Sequence, residues 1–105
     1  MQRVAIAGFG AIGRVVAEHL DPKSHGGIEG LALAAVSARD TSRAEAAMAG
    51  FARPVPVLPL ARLGEEADIV VECAPAAVLR DIAEPALALG RTLITLSCEI
   101  GRAHV

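Results

Sequence analysis

The chain of 105 residues contains no Trp, no Tyr and only two Phe, so it has no aromatic platform on which single-stranded nucleic acid could stack. It also lacks a block of Lys and Arg. The formal charge of −2 at pH 7 argues against a phosphate-backbone binder. No apolar run approaches the roughly 20 residues that a membrane-spanning helix needs, and the N-terminus has no signal-peptide pattern. The expectation is a cytoplasmic protein that engages neither nucleic acid nor membrane. Cysteine is scarce: Cys73 and Cys98 stand far apart, in no CxxC or Cys/His spacing, so no metal site is expected. Each reads as a small apolar residue near a strand end, with a reactive thiol as the alternative. His19 falls near the end of a helix, where partial positive charge suits the dipole, and His25 falls in a glycine-rich loop.

Aliphatic residues are what the chain has in abundance. Apolar residues make up 53%, enough to bury a core, and the length allows one domain at most. The opening is the most informative stretch. A short apolar run, Val4-Ala5-Ile6-Ala7, leads directly into Gly8-Phe9-Gly10-Ala11-Ile12-Gly13, a GxGxxG spacing that continues as a helix. Between a strand and a helix, that spacing reads as a dinucleotide-binding turn. Gly8 permits the tight turn, Gly10 lets the backbone approach a pyrophosphate, and Gly13 lets the helix pack closely on the strand. The free N–H groups of the first helical turn and the positive end of the helix dipole suit anionic phosphate.

Strands and helices alternate through the rest of the chain. Residues 3–7 form a first strand without apolar alternation, as expected when both faces are covered. A helix follows over residues 11–20, with Ile12, Val15, Val16 and Leu20 at helical spacing, and Asp21-Pro22 ends it in a loop reaching to Gly30. Residues 31–36 are a second strand, and Asp40-Thr41-Ser42 caps an alanine-rich helix through about Phe51. Pro54, Pro56 and Pro59 surround a third strand that fits only a sheet edge. Residues 68–72 form a central strand. Pro75 begins a helix whose apolar face is Leu79, Ile82, Ala83, Ala86 and Leu87, with a kink or break expected at Pro85 and a cap at Gly90. Residues 92–97 are the fifth strand. The expected fold is α/β: a Rossmann-type doubly wound parallel sheet of five strands in the order 3-2-1-4-5, incomplete at the C-terminal edge. Its crevice lies at the carboxyl ends of the strands, on a rim shared by residues 8–13, 73–75 and 97–98.

The end of the second strand bears on the cofactor. Sites for NAD usually place an acid there for the ribose hydroxyls, whereas this chain reads Val36-Ser37-Ala38-Arg39-Asp40, with Ala38 at the acid's position. Ser37 and Arg39 are suited to a 2′-phosphate, which favours NADP slightly over NAD. The other reading leaves Arg39 solvated and Asp40 only a helix cap.

Three stretches together resemble the N-terminal domain of the L-aspartate dehydrogenase family, close to the NAD-binding domain of homoserine dehydrogenases. They are Gly8-Phe9-Gly10-Ala11-Ile12-Gly13-Arg14, Val70-Val71-Glu72-Cys73-Ala74, and Glu84-Pro85-Ala86-Leu87 leading to Leu96-Ser97. The resemblance covers nearly all of residues 1–98. It implies oxidative deamination of L-aspartate to iminoaspartate, which yields oxaloacetate and ammonia or feeds NAD biosynthesis. Within it, Gly8, Gly10, Ala11, Ile12 and Gly13 cradle the pyrophosphate, Ser37 and Arg39 face the adenosine ribose, and Cys73, Ala74 and Ser97 line the nicotinamide side. No residue stands out as a catalytic acid or base; Glu72 reads as a strand-end residue. Family members continue into a second, catalytic domain and are expected to be homo-oligomers. Residues 99–105, Glu99-Ile100-Gly101-Arg102-Ala103-His104-Val105, instead resemble the in-frame translation of a sequencing-adapter oligonucleotide. The expectation is a non-native tail on a truncated gene, with the catalytic domain absent and the piece inactive alone. The rival readings are another two-domain dehydrogenase, of homoserine or sugar type, and a nucleotide-sensing module without chemistry.

Overall fold

The computed structural model describes residues 1–73 and 76–96. Four strands, β1 (Gln2–Ala7), β2 (Leu31–Ser37), β3 (Ile69–Glu72) and β4 (Thr92–Thr95), form one parallel sheet in the order β2-β1-β3-β4. Helices α1 (Ala11–Leu20), α2 (Pro22–His25), α3 (Thr41–Ala47), α4 (Leu63–Glu66) and α5 (Leu79–Ala88) connect them, with short 3-10 turns at Leu60–Arg62 and Ala76–Val78. Parallel strands need crossovers, and these cover both faces of the sheet. That explains the opening run: in β1, Val4 and Ile6 pack with Ala17 and Leu20 of α1, while Ala5 and Ala7 pack with Leu63 of α4 and Ile82 and Ala86 of α5.

β2 departs from simple alternation. Val4 pairs with Leu33 but Ala5 pairs with Ala35, so Ala34 is an extra residue, a bulge. One inserted residue reverses the parity of everything after it. Leu31, Leu33 and Val36 therefore all face the α1 side, and Ala35 turns to the α4–α5 side.

The expected third strand is corrected. Residues 55–58 lie beside β2, as foreseen, but make only an isolated parallel bridge between Val36 and Val57, so among the described residues the sheet has four strands rather than five. The Val36 N–H donates to the Pro56 carbonyl at 3.1 Å, and the Leu58 N–H donates to the Val36 carbonyl at 2.8 Å. Pro54, Pro56 and Pro59 have no N–H, so the ladder cannot extend. The expected order is otherwise kept. The predicted end of the last strand, at Ser97, lies outside the described residues.

Three helix expectations also change. Asp21-Pro22 ends α1 and at once starts α2, because Pro suits a first helical position and the Asp21 carboxylate caps it through the Lys23 N–H. The capped helix after β2 ends at Ala47, short of Phe51. α5 runs unbroken through Pro85. The proline withdraws one hydrogen bond, and the carbonyl it frees belongs to exposed Asp81, where water can satisfy it. Gly90 ends that helix at φ +74°, as expected, with the Arg91 N–H bonded to the Ala86 carbonyl. Among the described residues no helix is long and apolar enough to cross a membrane.

Asp21 is buried where α1, α2 and the segment after α3 meet. Its carboxylate accepts from the Lys23 N–H at 3.2 Å, the Ala52 N–H at 3.0 Å and the Arg53 N–H at 3.3 Å. Burial pushes this carboxyl up; the three N–H donors, with the Lys23 charge, outweigh it and hold it below its ordinary value. Its stabilising contribution is thus present above an unfolded value of roughly 3.9 and is lost as pH falls through the lower folded value. Asp21→Ala should destabilise the fold by about 1–3 kcal/mol at pH 7 in urea melts, by stranding N–H groups that had an anionic acceptor. The gap to the parent chain should narrow below about pH 4; a gap independent of pH would assign Asp21 a packing role alone.

Candidate nucleotide-binding site

The carboxyl ends of β1, β2 and β3 deliver three loops to one rim of the sheet. At the first, Gly8 adopts φ +95°, a left-handed conformation natural to glycine, and donates its N–H to the Ser37 carbonyl at 3.1 Å. Gly10 is the N-cap of α1 and offers no capping side chain. A Cβ at Gly10 would meet nothing within 4 Å, so its backbone faces open space. Gly13 is the opposite case. A Cβ there would overlap the Gly8 carbonyl oxygen and lie 3.2 Å from the Gly8 carbonyl carbon and 3.3 Å from Ile6 Cγ2. The first turn of α1 therefore rests directly on the glycine turn, with its unbonded N–H groups at the mouth of the rim.

A cavity of about 550 Å³ opens over this turn. Gly8, Phe9, Gly10 and Ala11 form one wall, with Arg14 beside them on α1. Ala38, Arg39 and Asp40 after β2, Arg43, Ala44 and Ala47 on α3, and Cys73 after β3 complete it. A smaller cavity of about 60 Å³, beside Asp21 at the amino ends of the strands, is lined by Met1, Leu20 and Leu31 among others and has room for little besides water. In the larger cavity the cations outnumber the anions. Among the described residues that line it, Arg14, Arg39 and Arg43 stand with a single carboxylate, Asp40, whose Oδ1 accepts the Arg43 backbone N–H at 3.0 Å as the cap of α3. The ion pairs among the described residues, Arg62–Glu65 and Arg80–Glu84, lie elsewhere. Burial, with the neighbouring Glu72 carboxylate, pushes the half-buried Cys73 thiol up to about 11, so it is a neutral wall at pH 7 and a poor nucleophile. The described residues contain no group of His, Cys, Asp and Glu able to hold a metal ion.

A glycine turn beneath an open cleft, at the end of the central strand of a parallel α/β sheet, is the geometry for a dinucleotide. The family described as homoserine dehydrogenase, NAD binding domain, matches residues 8–102. The chain belongs to this family. Two relatives named L-aspartate dehydrogenase carry the likeness further. One, from Bradyrhizobium diazoefficiens, is 50% identical over 95 residues, 90% of this chain and 32% of the relative. The other, named L-aspartate dehydrogenase 3, from Bordetella bronchiseptica, is 50% identical over 94 residues, 90% of this chain and 34% of the relative. This NAD-binding domain thus spans about a third of the length of the curated relatives it matches. In fold it is similar to myo-inositol dehydrogenase from Lactobacillus casei, solved in complex with NAD(H) and myo-inositol, with a TM-score of 0.75 at 24% identity over 90% of this chain and 28% of that one.

Among the residues singled out from sequence, the NAD-binding domain brings Gly8, Gly10, Ala11, Arg39 and Cys73 to the cavity wall. Gly13 is buried beneath the turn, and Ile12 is 55% exposed on a flank of α1 away from that wall. Ser37 is buried at the end of β2, where its carbonyl holds Gly8. Ala74 and Ser97 lie outside the described residues. Sequence reasoning overlooked Arg14 and Arg43. The signal for Arg14 was its place directly after the third glycine; that for Arg43 was its place three residues past the Asp40 cap. Gly13→Ala should destabilise the domain by about 1–3 kcal/mol through backbone overlap, despite the better helix propensity of alanine. Gly10→Ala should melt like the parent chain yet weaken nucleotide binding, because its methyl group enters the cavity. Equal losses of stability from both variants would contradict this division of roles.

Proposed function

We propose that this domain is the nucleotide-holding half, residues 1–98, of an NAD(P)-dependent amino-acid dehydrogenase that deaminates L-aspartate oxidatively to iminoaspartate, and thence to oxaloacetate and ammonia. The observation that carries the reading is the division of labour among the three glycines, with open space over Gly10 and none over Gly13, beside a cation-lined cleft. A bound nicotinamide dinucleotide supplies the hydride acceptor in this chemistry. The domain's own residues bind and orient. Gly8, Gly10 and the first-turn N–H groups of residues 11–13 hold the diphosphate, and no side chain intrudes where it approaches. Arg39 stands at the adenosine ribose, and NADP is favoured over NAD because the acid usual after the second strand is replaced here by Ala38. Cys73, protonated at neutral pH, walls the nicotinamide side without competing as a nucleophile.

The substrate assignment rests on the 50% identity to relatives named for L-aspartate, against identities below 25% to the sugar and inositol dehydrogenases of similar fold. Among the described residues that line the cavity, the ionisable groups other than arginine are Asp40, whose Oδ1 caps α3, and Cys73, whose thiol stays protonated, and neither stands out as a catalytic acid or base. Catalytic groups are therefore assigned to the remainder of the whole protein, and the isolated chain should not oxidise aspartate. Calorimetric titration of the 105-residue chain should give saturable binding of NADPH and NADH. The whole protein should reduce NADP with L-aspartate in preference to homoserine or inositol. A folded chain that binds neither nucleotide removes the cofactor reading; nucleotide binding without aspartate turnover by the whole protein removes the substrate reading.

A further inference from the structure

We propose that the buried carboxylate of Glu72, behind the Cys73 wall, sets a redox preference in the cleft: it favours the oxidised, cationic nicotinamide over the reduced, neutral one. The inference deepens the nucleotide reading above and rests on it, with Cys73 marking the nicotinamide side. Among the described residues the buried polar ones are Asp21, Ser37 and Glu72. Asp21 is accounted for by the N–H groups it binds at the far end of the sheet, and Ser37 is neutral. Glu72 is the buried acid at the cleft end. Its side chain is completely covered and lies on the α4–α5 side of β3, the side that Val70 also faces. Burying a charge costs far more than burying an aliphatic group, which would fill this place in an apolar layer without that cost.

Its position gives the charge a use. Glu72 pairs with Ala7 of β1 on one side and Thr95 of β4 on the other, each the last residue of its strand. This is the end of the sheet at which the cavity opens. The next residue, Cys73, turns to the α1 side and lines that cavity. Backbone bonds fix the pair: the Cys73 N–H donates to the Ala7 carbonyl at 2.8 Å, and the Leu96 N–H donates to the Glu72 carbonyl at 2.9 Å. The carboxylate is therefore held one residue behind the wall, away from the solvent that would screen it. Its field crosses the wall, since after burial itself it is the cause that pushes the Cys73 thiol up. Arg14, Arg39 and Arg43 come from α1, the loop after β2 and α3, so among the described residues the β3 side of the cleft brings a carboxylate and no cation. A nicotinamide beside Cys73 meets this field with a definite sign. The cationic ring is attracted, and the attraction ends once a hydride from the substrate has neutralised it.

The test is titration of the 105-residue chain with NADP⁺, NADPH, NAD⁺, NADH and ADP-ribose, with melting curves to verify that each variant is folded. The parent chain should bind the oxidised form of each pair at least as tightly as the reduced form. Glu72→Gln should weaken the oxidised forms by about threefold or more, and leave the reduced forms and ADP-ribose, which has no nicotinamide, within about twofold. Glu72→Asp keeps the charge and should keep the preference. Cys73 supplies a readout that needs no cofactor. Its alkylation as a function of pH, followed by peptide mass spectrometry, should show the thiol brought down from about 11 in Glu72→Gln and not in Glu72→Asp. An equal loss of oxidised and reduced forms assigns Glu72 to the fold alone and overturns the proposal, as does an unchanged ratio or a Cys73 thiol indifferent to Glu72→Gln. Should neither variant fold, tighter binding of the reduced forms by the parent chain overturns it without them. Each of these results leaves the nucleotide reading standing; a folded parent chain that binds no nucleotide overturns both.

Discussion

Everything at the functional end of this domain depends on how closely α1 lies against the turn that precedes it. The contact exists because Gly13 has no Cβ: the helix backbone rests on the Gly8 carbonyl and the Ile6 side chain. That closeness lets β1 run straight into a helix whose first-turn N–H groups converge on open space over Gly10. It also lets Ile6, buried completely, join Ala17 and Leu20 in the core on that face. Gly13 is thus a packing residue, and its missing methyl group sets the height of the turn that Gly10 opens to the cavity.

Around that contact the remaining elements act as a frame. β1 is central and covered on both sides, so the turn that leaves it is anchored to the most buried part of the molecule. β2 holds the turn through the Ser37 carbonyl, and the bulge at Ala34 keeps three of its large apolar residues on the face that α1 covers. At the other end of the sheet, Asp21 binds three separate N–H groups and so ties the end of α1 to the segment that follows α3. α1 is thereby held at both ends. A rigid platform of this kind is what a bound dinucleotide requires, because displacement of the turn would close the space above it.

The family resemblance and the physical reading agree on the cofactor half and part ways beyond it. Membership in the homoserine dehydrogenase NAD-binding family accounts for the turn, the sheet order and the cleft. It does not determine the charge of the cleft. That character comes from local details: an alanine after β2, a carboxylate that caps α3, and arginines on three separate elements. A chain with net negative charge can thus carry a locally positive cleft, since charge placement rather than charge sum sets the field a ligand meets.

The sequence by itself determined the alternation of strands and helices, the place of the dinucleotide turn, the Asp40 and Gly90 caps, and the edge position of residues 55–58. Each of these is a local matter, governed by hydrophobic periodicity, by φ freedom at glycine and by donors missing at proline. Tertiary structure decided the rest. That the proline-flanked segment is a bridge and not a strand depends on which of its few N–H groups meet Val36, and that α5 survives Pro85 depends on the freed carbonyl facing water. The parity change in β2 needed the register against β1. The meeting of Arg14, Arg39 and Arg43 around one cavity, and the burial of Ser37, needed α1, the loop after β2 and α3 brought together in space. Spacing along a chain specifies which way a residue points from its own element, but only packing specifies what stands opposite.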